Sequence, residues 1–575
     1  MPEYRNPQQE PGMERKLLLV FALTFLAILL FQPLLKKYGP QPPAEPEKKT
    51  QPAATPAAPA SLPKTEAPAP VKGVTKQASS ESETVIENGL YQITFTNRGG
   101  QVKSWILKKY DDDQGKPLEL VNLAAAPKYG FPLSLWTYEE RLRDKLNSAL
   151  YVASQSGSLT APGNITFEYG DQDLAVVKQF SFDHSYVVRV ETSVRYKGGD
   201  LAAFPIWPSG LGDEVNPAAY AAAQIQYEYN DKIERLAIKK IGGGNTLNGP
   251  FHWAGVVDQY FAAAFLPEDP QSAAMVTLRN GLDLPKDPKN PQETNKVEVL
   301  GAGVGNLHGP TVERIFVGPK ALDVLESVRA PGAGSHADLR DLVNFGFFGI
   351  IARALFIWLK WTFQHLVHNW GWAIVIQTLI INIALLPLRI SQMKSMLKMQ
   401  KIQPQIKSIQ EKYKKYSMRD PRKQEMQQEM SALYKKEGVN PVGGCLPMLI
   451  QLPFLYAYYA MLGVAIDLRH AHWLWIRDLS AADPWRLLPV GIIITMFLTQ
   501  RMTPQTGMDP AQQKMMNFMM PVFLGVISWN LAAGLCLYWA ESTLIGIVQQ
   551  VFLNRSSLGQ EMREMMEKRA RKNKK

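Results

Sequence analysis

Cysteine is almost absent from this sequence, and that scarcity excludes several kinds of chemistry. Only Cys445 and Cys536 occur, and both lie in apolar stretches. A disulfide framework is therefore not expected, and a CxxC redox or zinc motif is missing. Between residues 83 and 319 we also find no nucleophile motif, metal-ligand cluster or phosphate loop, and the histidines of that segment stand alone.

The positive charge of the chain is concentrated in particular segments. The 575 residues carry a formal net charge of +11, and the basic residues gather beside apolar runs. Nucleic-acid binding is one interpretation of such an excess. Cytoplasmic flanks of membrane segments explain the placement better.

The first apolar run extends from Leu17 to Leu35, close to the ~20 residues that cross a bilayer. Arg15 and Lys16 precede it, so its N-terminal end is expected in the cytoplasm. A cleaved signal peptide is the alternative, but that would have a shorter apolar core followed by small residues. Pro33 and neighbouring polar residues stand there instead, so an uncleaved anchor is favoured.

A Pro/Ala-rich linker follows the anchor, and then the pattern becomes typical of β-strands. Apolar residues alternate with polar ones in Tyr91–Thr96 and Tyr186–Glu191, and turn residues cluster at Asn97–Gly100 and Gly242–Asn245. Such alternation predicts a large antiparallel β domain of the sandwich type. Because this domain follows an anchor that begins in the cytoplasm, we expect it on the opposite side of the membrane.

Residues 344–364 have the spacing of an amphipathic helix. Gly346, Gly349, Arg353 and Lys360 recur at intervals of three, four and seven, and apolar residues cover the other faces. This pattern favours a helix that lies on the membrane surface over the alternative, a short spanning helix.

Five further apolar segments predict a membrane bundle. They are Trp372–Leu388, Leu446–Ile466, Leu487–Gln500, Met515–Leu531 and Leu535–Phe552. Alternating crossings place 389–442 and the basic C-terminal tail in the cytoplasm, in agreement with their excess of lysine and arginine. The sequence therefore predicts six spans with both termini in the cytoplasm.

The long cytoplasmic segment is predicted to form a helical hairpin. Apolar residues recur at intervals of three and four on both sides of a break at 417–421, and Pro404 interrupts the first helix. The hairpin would present a broad basic surface to anionic lipid, ribosomal RNA or acidic protein segments; a solvated face is the alternative. Its basic residues are Lys398, Lys401, Lys407, Lys412, Lys414, Lys415, Arg419, Arg422 and Lys423.

Polar residues interrupt two of the predicted spans. The candidate site residues are Gln377, Thr378, Asn382, Tyr538, Trp539, Glu541 and Ser542. A charged side chain at a helix centre costs about 2.5–3.5 kcal/mol on insertion scales. For Asn382 and Glu541 we therefore favour a hydrated interior, without a compensating lysine or arginine near the middle of any other span. For the Ser and Thr residues, helix–helix hydrogen bonding is the stronger alternative.

Several ordered motifs give the chain its resemblance to a known family. They are Asn97–Gly100, Gln259–Phe261, Gly318–Lys320, Phe345–Lys360, Asn369–Gly371, Asn440–Phe454 and Asp509–Met516. With these motifs the chain resembles the YidC family of membrane protein insertases over nearly its whole length.

The resemblance implies a five-helix membrane core with a groove open to the cytoplasm and to lipid, and a periplasmic β-supersandwich. It implies insertion and folding of nascent integral membrane proteins in the inner membrane, alone or with the Sec translocon, without a cofactor or bond-breaking chemistry. Ribosome and membrane lipid are further expected partners. Thr378 and Tyr538 match positions where the family contacts clients. The family usually has an arginine at the position of Asn382, whereas Glu541 stands where its pattern is usually uncharged.

Two other functional classes remain open at this point. A secondary transporter would use Asn382 and Glu541 as a substrate or proton site, but we find no inverted repeats. An anchored periplasmic binding protein would leave the basic hairpin and five spans unexplained. The predicted organisation is 1–16 cytoplasmic tail, 17–35 anchor, 36–82 linker, 83–335 β domain, 340–368 interfacial helix, 371–553 membrane core with hairpin 390–440, and 554–575 cytoplasmic tail.

Overall fold

The computed structural model describes residues 75–564, with gaps at 237, 288–289, 333–337, 414–415, 417–419, 439–445, 503–514, 558–559 and 562–563. These residues divide between Val343 and Asn344 into two compact units. The predicted anchor, the linker up to residue 74 and the tail beyond 564 lie outside the described residues. So do Lys414, Lys415 and Arg419 of the predicted hairpin, and of Lys423 only the backbone is described.

The first unit consists mainly of β-strands. They are β1 Glu83–Glu87, β2 Tyr91–Thr96, β3 Gln101–Asp111, β4 Pro117–Glu119, β5 Ser134–Trp136, β6 Val152–Ala153, β7 Gly157–Thr160, β8 Gly163–Gly170, β9 Leu174–Phe182, β10 Val187–Tyr196, β11 Gly199–Asp200, β12 Phe204–Trp207, β13 Gln224–Tyr229, β14 Lys232–Leu236, β15 Asn245–Asn248, β16 Ala254–Val257, β17 Phe261–Pro267, β18 Ala273–Asp287, β19 Asn290–Asn306 and β20 Thr311–Pro319. Four short helices accompany them: α1 Ala126–Tyr129, α2 Glu140–Ser148, α3 Pro217–Ala222 and α4 Leu322–Ser327.

The strands form three sheets. Sheet 1 has the order β4-β3-β2-β1-β7, and sheet 3 has the order β15-β18-β19-β12-β5. Sheet 2 has the order β14-β13-β16-β17-β20-β10-β9-β8-β6, with β11 beside β10. The prediction of a β domain is confirmed, and the predicted strand Tyr91–Thr96 is β2. The prediction of purely antiparallel pairing is wrong at one edge, because β1 pairs in parallel with β7.

Aromatic side chains join the sheets into one core. Phe95 on β2 packs against Phe167 on β8 and Phe180 on β9, with ring centres 5.7 and 4.8 Å apart. Trp105 on β3 and Trp207 on β12 are 5.9 Å apart. Sheet 1 therefore contacts both other sheets through rings that are each removed from water, and such rings dominate core energetics.

One lysine is buried in this core. Lys178 is at an inward position of the alternating strand β9. Its side-chain nitrogen lies within hydrogen-bond distance of the backbone carbonyls of Gly99, Gly100 and Leu133, at 3.0, 2.6 and 2.6 Å, and donates to them. Both glycines adopt positive φ angles, +68° and +52°, which turn the carbonyls of the 97–100 motif toward the lysine. The motif thus has a structural role in anchoring a buried lysine.

The second unit is helical. Its helices are α5 Gly349–Thr362, α6 Trp370–Ala384, α7 Leu386–Lys412, α8 Arg422–Lys436, α9 Leu446–Val464, α10 Leu487–Met502, α11 Met520–Ser528 and α12 Ala533–Arg555. A π-helical turn, Phe363–Val367, extends α5, and another, Met515–Met519, precedes α11.

The predicted segment Trp372–Leu388 is split between two helices. α6 ends at Ala384, and α7 begins at Leu386 with Pro387 in its first turn. A proline has no backbone N–H and its ring clashes with the preceding turn, so it can begin a helix but not continue one. The apolar run therefore crosses a helix boundary that hydropathy does not reveal.

Within the described ranges, no single helix is both long enough and apolar enough to cross a bilayer. The pair Gly349–Val367 and Trp370–Ala384 meets both criteria together, with a bend of 112° between its members. Leu487–Met502 and Asn517–Ser528 are shorter apolar helices.

Helix α5 is amphipathic. Ala352, Leu355 and Leu359 lie on its buried face, whereas Ile350 and Arg353 are exposed. The 112° bend follows directly, and Asn369 caps the next helix by accepting a hydrogen bond from the backbone N–H of Trp372 at 3.1 Å.

Helices α7 and α8 pack against each other along a narrow apolar seam. Ile402 and Ile406 are buried against Met430 and Leu433, and the hydroxyl of Tyr413 donates to Glu429 at 2.9 Å. Lys398, Lys401, Lys407, Lys412 and Arg422 are exposed. Helix α7 runs through Pro404 without a boundary there.

Candidate functional site

Helices α6 and α12 carry the predicted polar residues. Gln377 and Thr378 have no exposed surface, and Asn382 and Ser542 are each 3 % exposed. Trp539 and Glu541 are half-buried. The structure thus brings the predicted residues of α6 and α12 into one unit and buries most of them.

Gln377 belongs to a junction between helices. Its side-chain amide donates to the backbone carbonyl of Leu355 on α5 at 3.0 Å, and its carbonyl accepts a hydrogen bond from the hydroxyl of Tyr458 on α9. The ring of Tyr458 stacks on that of Tyr538 on α12, with centres 4.0 Å apart and planes within 10°. Gln377 therefore joins α5, α6 and α9, and the stacked tyrosine rings extend this junction to α12.

Thr378 lies between this junction and Glu541. Its hydroxyl donates to the carbonyl of Ile374 in its own helix at 2.7 Å. Its side chain also interacts with the Glu541 carboxyl group, and the Oε2 atom of that group is buried without a hydrogen-bond partner among the described residues. Helix–helix hydrogen bonding, the alternative considered for Ser and Thr, fits Thr378 only in part, because its first acceptor is on its own helix.

Asn382 bridges α6 and α12. Its side-chain amide donates to the carbonyl of Thr378 at 2.9 Å and to the hydroxyl of Ser542 at 3.3 Å. The side-chain amide of Gln549 donates to the backbone carbonyl of Asn382 at 3.1 Å. The amide oxygen of Asn382 accepts from the Ser542 hydroxyl at 3.4 Å and also from a third group, which the sequence did not suggest.

That third group is the guanidinium of Arg389, which donates to the Asn382 amide oxygen at 3.4 Å. Arg389 is half-buried. Sequence reasoning missed it because residue 389 was taken as the start of the cytoplasmic segment. Helical spacing alone could not have indicated this contact, because a helix boundary at Leu385 lies between residues 382 and 389.

A small open cavity adjoins these groups. It is lined by Ile381, Asn382, Leu385, Leu388, Arg389, Phe454, Tyr538 and Ser542. Polar atoms from α6, α7 and α12 thus share one cavity with apolar side chains. Such a lining can hold a polar group of a peptide while the neighbouring apolar part contacts hydrocarbon side chains.

The basic hairpin also forms ion pairs. Lys401 pairs with Glu561 and Lys412 pairs with Glu429, each at 2.6 Å. Both pairs are exposed, so they contribute little to stability. At the other end of α7, Met393 and Leu397 pack on Leu553, which fixes the hairpin to the end of α12.

Two family models match the chain. Residues 83–358 match the YidC periplasmic domain, and residues 362–560 match the 60Kd inner membrane protein family. The border between these matches lies fifteen residues beyond the division between the compact units, within α5.

Similar proteins match nearly the whole length. A membrane protein insertase YidC of Syntrophus aciditrophicus is 32 % identical over 585 residues, which is 95 % of this chain and 100 % of that protein. One of Geobacter metallireducens is 31 % identical over 578 residues, covering 95 % and 99 %. Among solved structures, an active YidC insertase with its first transmembrane domain resolved matches with 20 % identity and a TM-score of 0.34, covering 84 % of this chain and 94 % of that one.

Proposed function

This chain belongs to the YidC family, and we propose that it inserts integral membrane proteins into the inner membrane and helps them to fold. The observation that carries the proposal is the cavity beside Asn382, Arg389 and Ser542. A peptide segment that enters a bilayer must remove its polar groups from water. A cavity with hydrogen-bonding groups lowers that penalty while apolar residues of the client move into lipid.

The membrane arrangement is part of this proposal. Residues 17–35 form the first span, and five more spans within 371–553 form the core. Both termini lie in the cytoplasm, and the β unit lies in the periplasm as a supersandwich. The distribution of basic residues supports this orientation, since the α7–α8 hairpin exposes Lys398, Lys401 and Lys407.

The other predicted segments complete this arrangement. They are the linker 36–82, the β domain 83–335, the interfacial helix 340–368, the cytoplasmic hairpin 390–440 and the basic tail 554–575. Helix α5 would lie on the outer membrane surface. Its exposed Ile350 and Ile357 support that position, because these side chains would enter the acyl region.

Partners follow from the chemistry of the exposed surfaces. Nascent membrane proteins are the clients, and the exposed basic residues of the hairpin fit ribosomal RNA and anionic lipid. Cooperation with the Sec translocon rests on the family resemblance. The function needs no cofactor, metal or bond-breaking step, because client binding and release are changes of environment only.

Site-specific photocrosslinking tests the proposal. Leu388 lines the cavity and is half-buried, so a photoreactive residue there can reach a client. Thr378 and Tyr538 are less suitable positions, since they are 0 % and 2 % exposed. Val526 on α11, which is exposed and does not line the cavity, is the matched control.

We expect ribosome-bound nascent membrane proteins to crosslink at residue 388 and not at 526. Equal crosslinking at both positions would contradict a cavity that receives clients. Uptake of small solutes by liposomes containing the purified chain, without insertion of a test membrane protein, would favour the transporter instead.

A further inference from the structure

We propose that the connection between α9 and α10, residues 465–486, is a preformed lipid-binding element, and that its tip residue Leu474 inserts into the periplasmic leaflet. This inference rests on the membrane arrangement given under the proposed function, because that arrangement places the α9–α10 connection on the periplasmic side. None of the residues that line the cavity belongs to the connection. It is therefore a separate surface with its own partner, the phospholipid bilayer.

The α9–α10 connection is fixed to the ends of two helices. The backbone carbonyl of Leu479 accepts a hydrogen bond from the N–H of Gly534, at the start of α12, at 2.8 Å. The carboxylate of Asp483 accepts from the backbone N–H of Leu488, in the first turn of α10, at 2.8 Å and from the indole N–H of Trp475 at 3.0 Å. The side chains of the connection are thus positioned before any partner binds.

The Asn369–Gly371 motif holds the same connection against α6. The side-chain amide of Asn369 donates to the backbone carbonyl of His472 at 3.0 Å. Gly371 leaves space for the indole ring of Trp473, since a Cβ atom at position 371 would overlap atoms of that ring. The motif does not line the cavity, and its contacts give it a role in positioning the connection.

The tip of the connection is a tight hairpin that presents a leucine. Trp473 and Ile476 exchange two backbone hydrogen bonds of 2.8 Å, so Leu474 and Trp475 form a two-residue turn. Leu474 has a φ angle of +49° and is 59 % exposed. A turn with a positive φ at its first central position favours glycine, because other side chains are strained there. An exposed leucine at this position is unfavourable in water, and its burial among acyl chains would offset that cost.

Exposed tryptophans lie at the same end of the helical unit as this tip. They are Trp372, Trp485 and Trp529. The ring of Trp372 packs against that of Trp473 with centres 5.6 Å apart, and the guanidinium of Arg486 lies over the ring of Trp529 at 5.9 Å. Tryptophan rings beside cationic side chains are typical of the membrane–water interface, where the ring contacts acyl chains and the charge remains in water.

A second copy of this chain could also cover an apolar tip, but the apolar surface continues along a proposed span. Leu487, Val490 and Ile494 on α10 are exposed and recur at intervals of three and four, so they share one face of the helix. Trp485 directly precedes this face, and Asp483 accepts hydrogen bonds from its backbone N–H and from the indole of the tip. This continuity with a surface that faces acyl chains favours lipid as the partner.

The test places a fluorescent amino acid at single positions of the full-length chain in nanodiscs of zwitterionic lipid. Nitroxide groups on the acyl chains quench the fluorescence from the bilayer, and iodide quenches it from water. Position 474 is compared with position 477, because Arg477 is exposed on the same connection three residues away. Position 526 is the membrane reference, since Val526 is exposed on α11, a proposed span.

We expect nitroxide lipids to remove most of the fluorescence at 474 and 526 and little at 477, and iodide to give the reverse order. Gly371→Ala should displace the Trp473 ring, so that position 474 loses its quenching by lipid and becomes accessible to iodide. Gly491→Ala is the matched control, because a Cβ atom at Gly491 would meet no described atom within 4 Å. It should leave the quenching at 474 unchanged.

Quenching at 474 that equals the quenching at 477, with 526 quenched by lipid, would overturn the inference. Protection of 474 from both quenchers that appears only with two chains per nanodisc would assign the tip to a second copy and would also overturn it. An unchanged response to Gly371→Ala would remove the Asn369–Gly371 motif from the proposal. If lipid fails to quench position 526, the membrane arrangement itself fails, so position 526 separates the two failures.

Discussion

Replacing Lys178 by methionine is expected to destabilise the β unit by about 3 kcal/mol at pH 8. The three carbonyls that accept hydrogen bonds from Lys178 would lose this donor, and each loss costs roughly 1–3 kcal/mol. Burial lowers the pKa of Lys178 to about 7, whereas an unfolded lysine has a pKa of about 10.4. Burying the deprotonated amine at pH 8 therefore costs the wild type about 3 kcal/mol. The methionine variant does not have this cost, so about half of the free energy lost at the carbonyls is offset.

Pulse proteolysis of the full-length chain in detergent at increasing urea concentration measures this change. A loss of about 3 kcal/mol corresponds to a urea midpoint lower by roughly 1 M. Lys109→Met is the matched control, since Lys109 is an exposed lysine of strand β3. A midpoint equal to that of the control would refute the role of Lys178 as an anchor for the turn at Gly99 and Gly100.

The wild type and the Lys178→Met variant should also differ in how their free energy of unfolding depends on pH. Between pH 7 and 10.4 the unfolded chain binds a proton at Lys178 that the folded chain does not bind. The free energy of unfolding of the wild type therefore rises with pH, by up to about 1.4 kcal/mol per pH unit. The variant lacks this rise, so the difference in free energy of unfolding between the wild type and the variant should grow to about 5 kcal/mol at pH 9.5. A constant difference would show that the three carbonyls keep Lys178 charged.

Two further substitutions test how the helical unit is held together. Gln377→Leu removes the acceptor of the Tyr458 hydroxyl and the donor to the Leu355 carbonyl, and we expect a loss of about 1–2 kcal/mol, visible as a lower melting temperature of the detergent-solubilised chain. Asp483→Ala removes the carboxylate that accepts from the backbone N–H of Leu488 at 2.8 Å. The loss of this cap should cost about 1 kcal/mol and increase hydrogen exchange in the first turn of α10, with the last turn as internal reference.

Local sequence patterns predicted strands of the β unit well, because one side of these strands is buried and the other is more exposed. In Tyr91–Thr96 the alternation of buried and exposed positions has the period of a strand, and β2 has those bounds. The strand predicted from Tyr186 begins one residue later, at Val187, and continues to Tyr196. The parallel contact of β1 with β7 could not be predicted, since pairing between strands 70 residues apart depends on the closure of the whole sheet.

In the helical unit, average hydropathy did not predict the helix boundaries. The run up to Leu388 is uniformly apolar, and its average conceals the boundary that Pro387 imposes. The same average assigned Arg389 to a loop, although it lies on α7 and its guanidinium donates to the amide oxygen of Asn382. Sequence spacing also placed Gln377 in the client site, whereas its partners are on α5 and α9. Partners on other helices cannot be inferred from one helix alone.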